Sequence, residues 1–326
     1  MKSKICRIDT VYTAYYAVAV MAMVLLLATA ANASVQYMTR SEAVIWETSG
    51  SKFGCMLSHD IEGFGKAVFE HQAGEQTRFY LNSQMARMKS GKAALIVRPP
   101  AWSSQSNSLT LGMVAVKQGT SPISLGRKMS ERMLAELQKG MFLDFKREPW
   151  YGDQRVLRVT LSSIGFRQSH QGYLRCLADL LPVNYQQIER SSLYYDNDDD
   201  DLKQKVKQRL DQIIAYIEED PEVKTFYLDG HTDSEGIRNE NLIKSQRRTE
   251  KVMNYLIEKG IARERIIARW HGERYQVSSN KTAKGRAKNR RVTLRLSKEE
   301  PQTLVDTSEA QAQQVEPAAT EQTPSQ

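Results

Sequence analysis

An acid and a base stand fifteen residues apart in the second half of the chain, at Asp233 and Arg248. Asp233 lies in a turn that follows the apolar stretch 223–228, so its carboxylate should sit at the end of a buried strand. Arg248 precedes Val252 by four residues and Leu256 by eight, which places its guanidinium on the apolar face of a helix. A charge on an inner face is costly without a partner. The two groups would either hold a zwitterionic amino-acid head or pair in an internal salt bridge, and their spacing leaves both open.

The acidic run 196–201 invites a calcium interpretation, because three of its acids alternate as they do in an EF-hand loop. The rest of the loop does not fit. Asp201 stands where the loop needs glycine, and Lys207 stands where it needs a bidentate glutamate. The run is therefore predicted to form a solvated turn that caps the next helix.

Catalytic motifs are weak. A serine stands three residues before a lysine at 49–52 and at 278–281, but an acyl-enzyme also needs partner motifs and an oxyanion hole, which are not evident. The sequence has no HExxH and no GxSxG pattern, and His231 has no further ligands at metal spacing. A non-enzymatic protein without a metal or another cofactor is therefore expected.

The segment 281–295 carries seven basic residues and no acid. It would form either a solvated basic edge or a surface that contacts anionic glycan polymers or lipid headgroups. Its composition does not separate the two.

The first 33 residues have the composition of an export signal. Basic residues precede the apolar run 14–30, and the small-residue pattern 31–33 is one that a signal peptidase cleaves. We predict a signal peptide over residues 1–33, with an uncleaved membrane anchor as the alternative. No later segment approaches the roughly 18 consecutive apolar residues of a membrane helix. Cleavage lowers the formal net charge from +8 to +6, and export excludes nucleic acid as the natural partner.

Two cysteines remain after cleavage, Cys55 and Cys176. An even number of cysteines in an oxidising compartment favours a disulfide between them, with two buried free thiols as the alternative. The bridge would close a loop of about 120 residues and stabilise the fold by about 4–5 kcal/mol through the entropy of the unfolded chain.

The remaining sequence has three parts. Residues 34–186 are rich in β-branched and aromatic segments, with short helices near 130–140 and 173–182, and predict a β-sandwich or barrel. Residues 187–297 follow the order strand, helix, strand, helix, strand, strand, which predicts an α+β sandwich. Residues 298–326 contain six acids, three prolines and one lysine, which predict a disordered acidic tail.

The second domain carries an ordered series of residues that forms one pattern: Gly230, His231, Thr232, Asp233, Gly236, Asn241, Ser245, Arg248, Gly272, Asn280, Gly285, Arg286, Asn289, Arg290 and Arg291. This pattern resembles the OmpA-like peptidoglycan-binding module. The resemblance implies that Asp233 and Arg248 hold the free amine and carboxylate of diaminopimelate in the peptide stem of the wall. It adds Thr232, Asn241 and Arg291 to the same site.

The chain departs from that module at four positions. Lys244 replaces the leucine before the helix serine, Trp270 and His271 replace the first two residues of a Gly-Tyr-Gly sequence, and Gln276 replaces a proline. These changes concern the rim of the pocket and its affinity for the wall, and they leave the expected fold unchanged.

The first domain carries matching stretches of its own, at 55–75, 98–102, 126–145 and 151–182. They resemble the MotY family of periplasmic flagellar motor proteins, and the resemblance then runs almost end to end. It implies that the first domain joins the basal-body ring and contacts a MotX-like ring protein. It also implies that the second domain binds peptidoglycan and helps to keep the stator, through its B subunit, in place.

The leading hypothesis is a non-enzymatic, wall-anchored component of a periplasmic motor ring, located at the flagellar basal body on the outer-membrane side. A general envelope tether, which links the wall to another periplasmic or outer-membrane partner, is the alternative. An outer-membrane β-barrel fits less well, because residues 34–186 carry 31 charges without a rhythm of ten-residue strands.

Overall fold

A computed structural model describes residues 34–104, 106–147, 156–196 and 200–300. The predicted signal peptide, the predicted tail beyond residue 300 and the middle of the acidic run lie outside these ranges. The described residues form two compact units, and the chain passes from one to the other between Leu180 and Leu181. This division falls six residues before the boundary predicted from composition.

The described residues of the first unit form ten strands and two α-helices. The strands are β1 (Val35–Tyr37), β2 (Trp46–Ser51), β3 (Gly54–Ile61), β4 (Gly65–Gln72), β5 (Arg78–Ser83), β6 (Gly91–Arg98), β7 (Leu109–Val116), β8 (Ile123–Leu125), β9 (Phe142–Arg147) and β10 (Leu157–Leu161). The helices are α1 (Arg127–Gln138) and α2 (Phe166–Ala178). A short 3₁₀ turn covers Ser41–Ala43.

These strands form two five-stranded sheets, in the orders β1-β10-β9-β6-β7 and β2-β3-β4-β5-β8. Phe79 of one sheet stacks on Phe145 of the other with ring centroids 5.6 Å apart, within one continuous hydrophobic core. Trp46 meets Phe166 of α2 edge to face at 5.0 Å, so the helix closes the same core. The arrangement is sandwich-like, and both sheets keep two edge strands, so the barrel alternative is not the one adopted.

The predicted disulfide is present. Cys55 on β3 is bonded to Cys176 on α2, and their Cα atoms lie 6.0 Å apart. Both cysteines belong to or pack against the hydrophobic core. The bond therefore joins the early sheet to the last helix of the unit, as expected from the cysteine count.

The start of α1 differs from the sequence prediction. A helix is predicted near 130–140, but it begins earlier, at Arg127, and Ser130 lies buried inside its first turns. The Ser130 hydroxyl donates to the carbonyl oxygen of Gly126 at 3.1 Å. The backbone of an interior serine is already bonded within the helix, so its side chain turns back to a preceding carbonyl.

The second unit has the predicted order of elements with two short helices added. Its elements are α3 (Tyr185–Ile188), β11 (Arg190–Tyr194), α4 (Gln204–Glu219), β12 (Thr225–His231), α5 (Arg238–Glu258), a 3₁₀ turn (Arg263–Arg265), β13 (Ile266–Trp270), α6 (Ala283–Asn289) and β14 (Arg291–Ser297). The sheet order is β11-β14-β12-β13, with β12 parallel to β13 and antiparallel to β14. Helix α5 contacts β12, β13 and β14. This is the α+β sandwich expected from the sequence.

Helix α4 buries an apolar stripe along one face. Five members of the stripe are buried: Val206, Leu210, Ile213, Ile214 and Ile217. Among the described residues, no helix is long and apolar enough to cross a membrane.

Gly50 provides a test of the disulfide environment. A Cβ atom at Gly50 would lie 2.4 Å from the Sγ atom of Cys176 and 2.7 Å from the carbonyl oxygen of Gly54. We expect Gly50→Ala to lower the melting temperature of the mature protein, because the β2–β3 backbone or the disulfide must move. Differential scanning calorimetry measures this.

The matched control is Gly172→Ala, in the same helix as Cys176. Its Cβ would meet Thr48 at an ordinary 3.5 Å, and alanine favours a helix. Equal melting temperatures for the two variants would show that Gly50 is not held against the disulfide.

Candidate ligand-binding site

Asp233 lies just beyond the end of β12 and is only 4% exposed. Both carboxylate oxygens have donors. The Arg290 Nη1 donates to Oδ2 at 2.7 Å, and the Glu235 backbone N–H donates to Oδ1 at 3.2 Å. The buried carboxyl group thus has a charged partner and a backbone donor.

Arg248 lies on the inner face of α5, and its side chain is fully buried. Its Nε donates to Asp200 Oδ1 at 2.9 Å, and its Nη2 donates to the Asp196 carbonyl oxygen at 3.2 Å. The guanidinium also lies over the ring of Tyr195, 5.0 Å from the centroid. Burial lowers the pKa of Arg248, and the charge of Asp200 opposes that shift.

In the described part of the acidic run, Asp200 is the partner of a buried arginine and not the solvated helix cap that the composition suggested. Asp200 also receives Arg247 Nε at 3.2 Å, and Asp201 pairs with Lys251. The N-cap residue of α4 is Lys203, and its side chain makes no capping hydrogen bond to the first turn of the helix. Arg248 offers Asp200 a fully buried countercharge, which water and a helix terminus do not match.

Asp233 and Arg248 are thus connected through Arg290. Arg290, which holds Asp233, also contributes its positive charge to the lowered pKa of Arg248. In the order Asp200, Arg248, Arg290, Asp233, two basic side chains stand between two acidic ones. A zwitterion entering between the two arginines would place its carboxylate against guanidinium groups and its ammonium against Asp233.

The other residues expected in the site surround the same turn. Asn241 is 3% exposed, and its Nδ2 donates to Glu273 Oε2 at 2.9 Å. Thr232 is 2% exposed; its backbone N–H donates to the Gly272 carbonyl at 2.9 Å. Its hydroxyl is buried and has no hydrogen-bond partner within the described ranges. That hydroxyl is available to a ligand atom.

Arg291 lies on β14 and is the register partner of His231 on β12. Its Nη1 donates to the Asn289 carbonyl at 3.4 Å, and its Nη2 donates to the Tyr275 carbonyl at 3.3 Å. Both of these bonds go to backbone carbonyl groups. In this structure Arg291 braces the loop between β13 and α6.

Close contact between α5 and β12 positions the acid relative to the base. A Cβ atom at Gly230 would lie 2.1 Å from Thr249 Oγ1 and 2.5 Å from the Ser245 carbonyl, so only glycine lets the helix approach. Ser245 Oγ accepts from the Gly272 N–H at 3.0 Å and donates to the Leu242 carbonyl at 2.7 Å. These contacts hold Asp233 and Arg248 at fixed separation.

The basic segment 281–295 divides between internal and exposed roles. Arg286 pairs with Glu235 at 2.9 Å, Arg290 pairs with Asp233, and Arg295 stacks over Tyr227. The exposed lysines are Lys281, Lys284 and Lys288. The sequence could show the excess of charge, but not that Arg290 belongs to the candidate site.

Three aromatic rings pack together beside the turn that carries Asp233. The rings of His231 and His271 stack 5.1 Å apart, and Tyr275 meets His271 edge to face at 5.0 Å. Burial, together with the charges of Arg291 and His271, lowers the pKa of His231 from 6.5 to about 4. His231 is therefore neutral near pH 7 and resists protonation.

This shift predicts a pH dependence of stability. Because the pKa of His231 is lower in the folded state, the unfolded state binds the proton first as the pH falls. The stabilisation is complete above about pH 6.5 and lost as the pH falls towards 4. The free energy of unfolding of the second unit should therefore fall between pH 7.5 and 4.5. We expect this fall to be smaller by roughly 2–3 kcal/mol in His231→Gln, because the variant has no imidazole to protonate.

Hydrogen exchange of the β12 amides, corrected for intrinsic rates at each pH, measures this difference. An equal loss of protection in His231→Gln and the parent would contradict the assignment.

No group of three His, Cys, Asp or Glu side chains that could hold a metal ion occurs within the described parts of the chain. The site offers instead paired charges, buried donors and one unpartnered hydroxyl. Such an arrangement suits a polar ligand that makes charge-assisted hydrogen bonds.

Comparison with known proteins gives two family matches. Residues 37–182 match the family described as MotY N-terminal domain, and residues 194–290 match the OmpA family. The chain is 28% identical over 268 residues to the sodium-type flagellar protein MotY of Vibrio parahaemolyticus, covering 81% of this chain and 90% of that protein. It is 36% identical over 115 residues to outer membrane protein A of Bordetella avium, covering 35% and 59%.

A solved structure of the peptidoglycan-associated lipoprotein from Burkholderia pseudomallei is 26% identical, with a TM-score of 0.31; the match covers 32% of this chain and 89% of that one. The two family matches cover both units of the fold, in the order that the sequence resemblances implied. The chain therefore contains a MotY N-terminal domain followed by an OmpA-family domain.

Proposed function

We propose that this protein is a non-enzymatic component of a flagellar motor that binds peptidoglycan through its OmpA-family domain. The observation that carries the proposal is the presence of a MotY N-terminal domain and an OmpA-family domain in one chain. The first domain then supplies the link to the motor, and the second supplies the link to the wall.

In this proposal the wall ligand is the free amino-acid head of diaminopimelate in the peptide stem. Its ammonium binds Asp233 and its carboxylate binds Arg248, while the Thr232 hydroxyl and Asn241 complete the contacts. Asp233 and Arg248 already have the partners Arg290 and Asp200. The ligand therefore shares or exchanges ionic contacts, which costs little only when it brings both charges.

The protein acts in the periplasm at the basal body, on the outer-membrane side, where it contacts a MotX-like ring protein and helps to anchor the stator B subunit. The turn at Arg98–Trp102 supports a docking role for the first domain. Trp102 is 66% exposed and meets Phe142 edge to face at 5.8 Å. An exposed tryptophan on a rigid sheet is typical of a protein contact.

One prediction of this function concerns wall binding. Asp233→Asn should weaken sedimentation with purified sacculi by about 2–5 kcal/mol, because it removes the charge that meets the ligand ammonium. Arg248→Lys keeps the charge that Asp200 needs but loses the planar fork, so it should also weaken binding. Co-sedimentation over a range of sacculus concentrations measures both.

The matched control is Asp211→Asn. Asp211 forms an exposed pair with Lys259 on the same unit, so its loss should change neither binding nor folding. If Asp233→Asn and Arg248→Lys sediment like Asp211→Asn, the pocket assignment is wrong.

Another prediction of this function separates a motor component from a general envelope tether. The wall offers its stem peptides everywhere, so placement at a motor must come from residues 34–186, which carry 19 basic and 12 acidic side chains. Residues 1–186 fused to a periplasm-competent fluorescent protein should form foci at flagellar bases without restoring swimming. Residues 187–297 behind the same signal should spread around the envelope.

Fluorescence microscopy and swimming assays in a deletion strain give the readout. Even spreading of the first fusion together with foci of the second would reject the motor role and favour the tether.

A further inference from the structure

A second cleft lies beside the candidate pocket, at the start of α5. It has a volume of about 910 Å³ and is bounded by the first turn of α5 and the segment after β13. Its apolar wall is exposed: Ile237 is 65% exposed, Leu242 40% and Trp270 39%. Large side chains left in water within one concave surface mark a binding site more often than chance exposure does.

The cleft shares a wall with the proposed peptide-stem pocket. Trp270 is the register partner of Gly230, the residue that opens the turn carrying Asp233. The next two residues fix that wall, because the His271 N–H donates to the Gly230 carbonyl and the Gly272 N–H donates to Ser245 Oγ. A ligand held by Asp233 would therefore have its continuation close to Trp270.

The close packing of this wall leaves little freedom for movement. A Cβ atom at Gly272 would lie 3.3 Å from the backbone nitrogen of Leu242, and Gly272 has a φ of 57°. Glu273 accepts the Asn241 side chain at 2.9 Å, so one residue of the proposed pocket is bonded to one residue of the cleft. Trp270 and Leu242 are thus held as a preformed surface.

The chemistry of the cleft selects the ligand. It combines a broad aromatic surface and two aliphatic side chains with the donors Arg238, Asn239 and Arg274. A sugar ring has a face of C–H groups that packs on an aromatic face, and an edge of hydroxyl and acetamido groups that accepts hydrogen bonds. A second amino-acid head would have to compete for Glu273, whose carboxylate already accepts from the Asn241 side chain at 2.9 Å. A purely apolar ligand would leave the arginines unused.

We propose that the Trp270 cleft binds the N-acetylated glycan strand to which the peptide stem is attached. The inference rests on the proposed function, because it extends the stem pocket along the same polymer. Trp270 packs on a sugar face, and Arg238 or Arg274 donates to an acetamido carbonyl. The protein then recognises the junction of glycan and stem, and the free peptide occupies only part of the surface.

Isothermal titration of the mature protein with two ligands tests this proposal. One ligand is the disaccharide–tetrapeptide released from the wall by a muramidase, and the other is the same diaminopimelate tetrapeptide without sugars. The parent should bind the disaccharide form about tenfold more tightly or better, which corresponds to about 1.4 kcal/mol. Trp270→Ala should bind the two forms with equal affinity, because the advantage that the sugars give is lost.

Three variants make the outcome specific. Trp270→Phe should keep part of the sugar advantage, and Tyr194→Ala should keep all of it, because Tyr194 is 50% exposed on β11 away from the cleft. Asp233→Asn should lose both ligands. An unchanged sugar advantage in Trp270→Ala, or no advantage in the parent, would overturn the glycan proposal and leave stem binding intact. Failure of the parent to bind either ligand would overturn the proposed function as well.

Discussion

The second domain depends on one buried charge. The side chain of Arg248 is fully buried on the inner face of α5, where an unpaired guanidinium would be strongly destabilising. Asp200, the Asp196 carbonyl and the ring of Tyr195 surround it, so the chain after β11 is tied to a helix about 50 residues later. The same requirement governs Asp233, which Arg290 neutralises. The pocket is balanced before any ligand arrives, and only a ligand that carries both charges can enter without leaving one unpaired.

Under the proposed function, this balance gives a site of modest size its specificity for the wall. Each charge is held by a protein partner, so a simple cation or anion would displace one contact and leave its counterpart buried alone. The adjoining Trp270 cleft adds an apolar surface that small ions cannot use. Under the proposed function, the OmpA-family domain gives attachment to a ligand present throughout the wall, and the MotY N-terminal domain gives the position of that attachment.

Local patterns in the sequence predicted the elements, and long-range pairs were beyond its reach. Three features follow from periodicity and cysteine count, and all appear in the structure. They are the apolar stripe of α4, the order of strands and helices after β11, and the pairing of Cys55 with Cys176. The partners of the two charges do not follow. Asp200 lies 48 residues from Arg248, and Arg290 lies 57 from Asp233, so neither pair leaves a signal in spacing. The acidic run was therefore interpreted as a solvated cap, although one of its carboxylates neutralises the buried arginine.

The central claim is that the pocket recognises an ammonium and a carboxylate on one carbon. Calorimetric titration of the mature protein with two stem peptides tests it most directly, one containing meso-diaminopimelate and the other lysine at the same position. Lysine keeps the ammonium and lacks the neighbouring carboxylate. The account predicts that the lysine peptide binds at least tenfold more weakly, because Arg248 gains no partner from it. Equal affinities for the two peptides would contradict the claim.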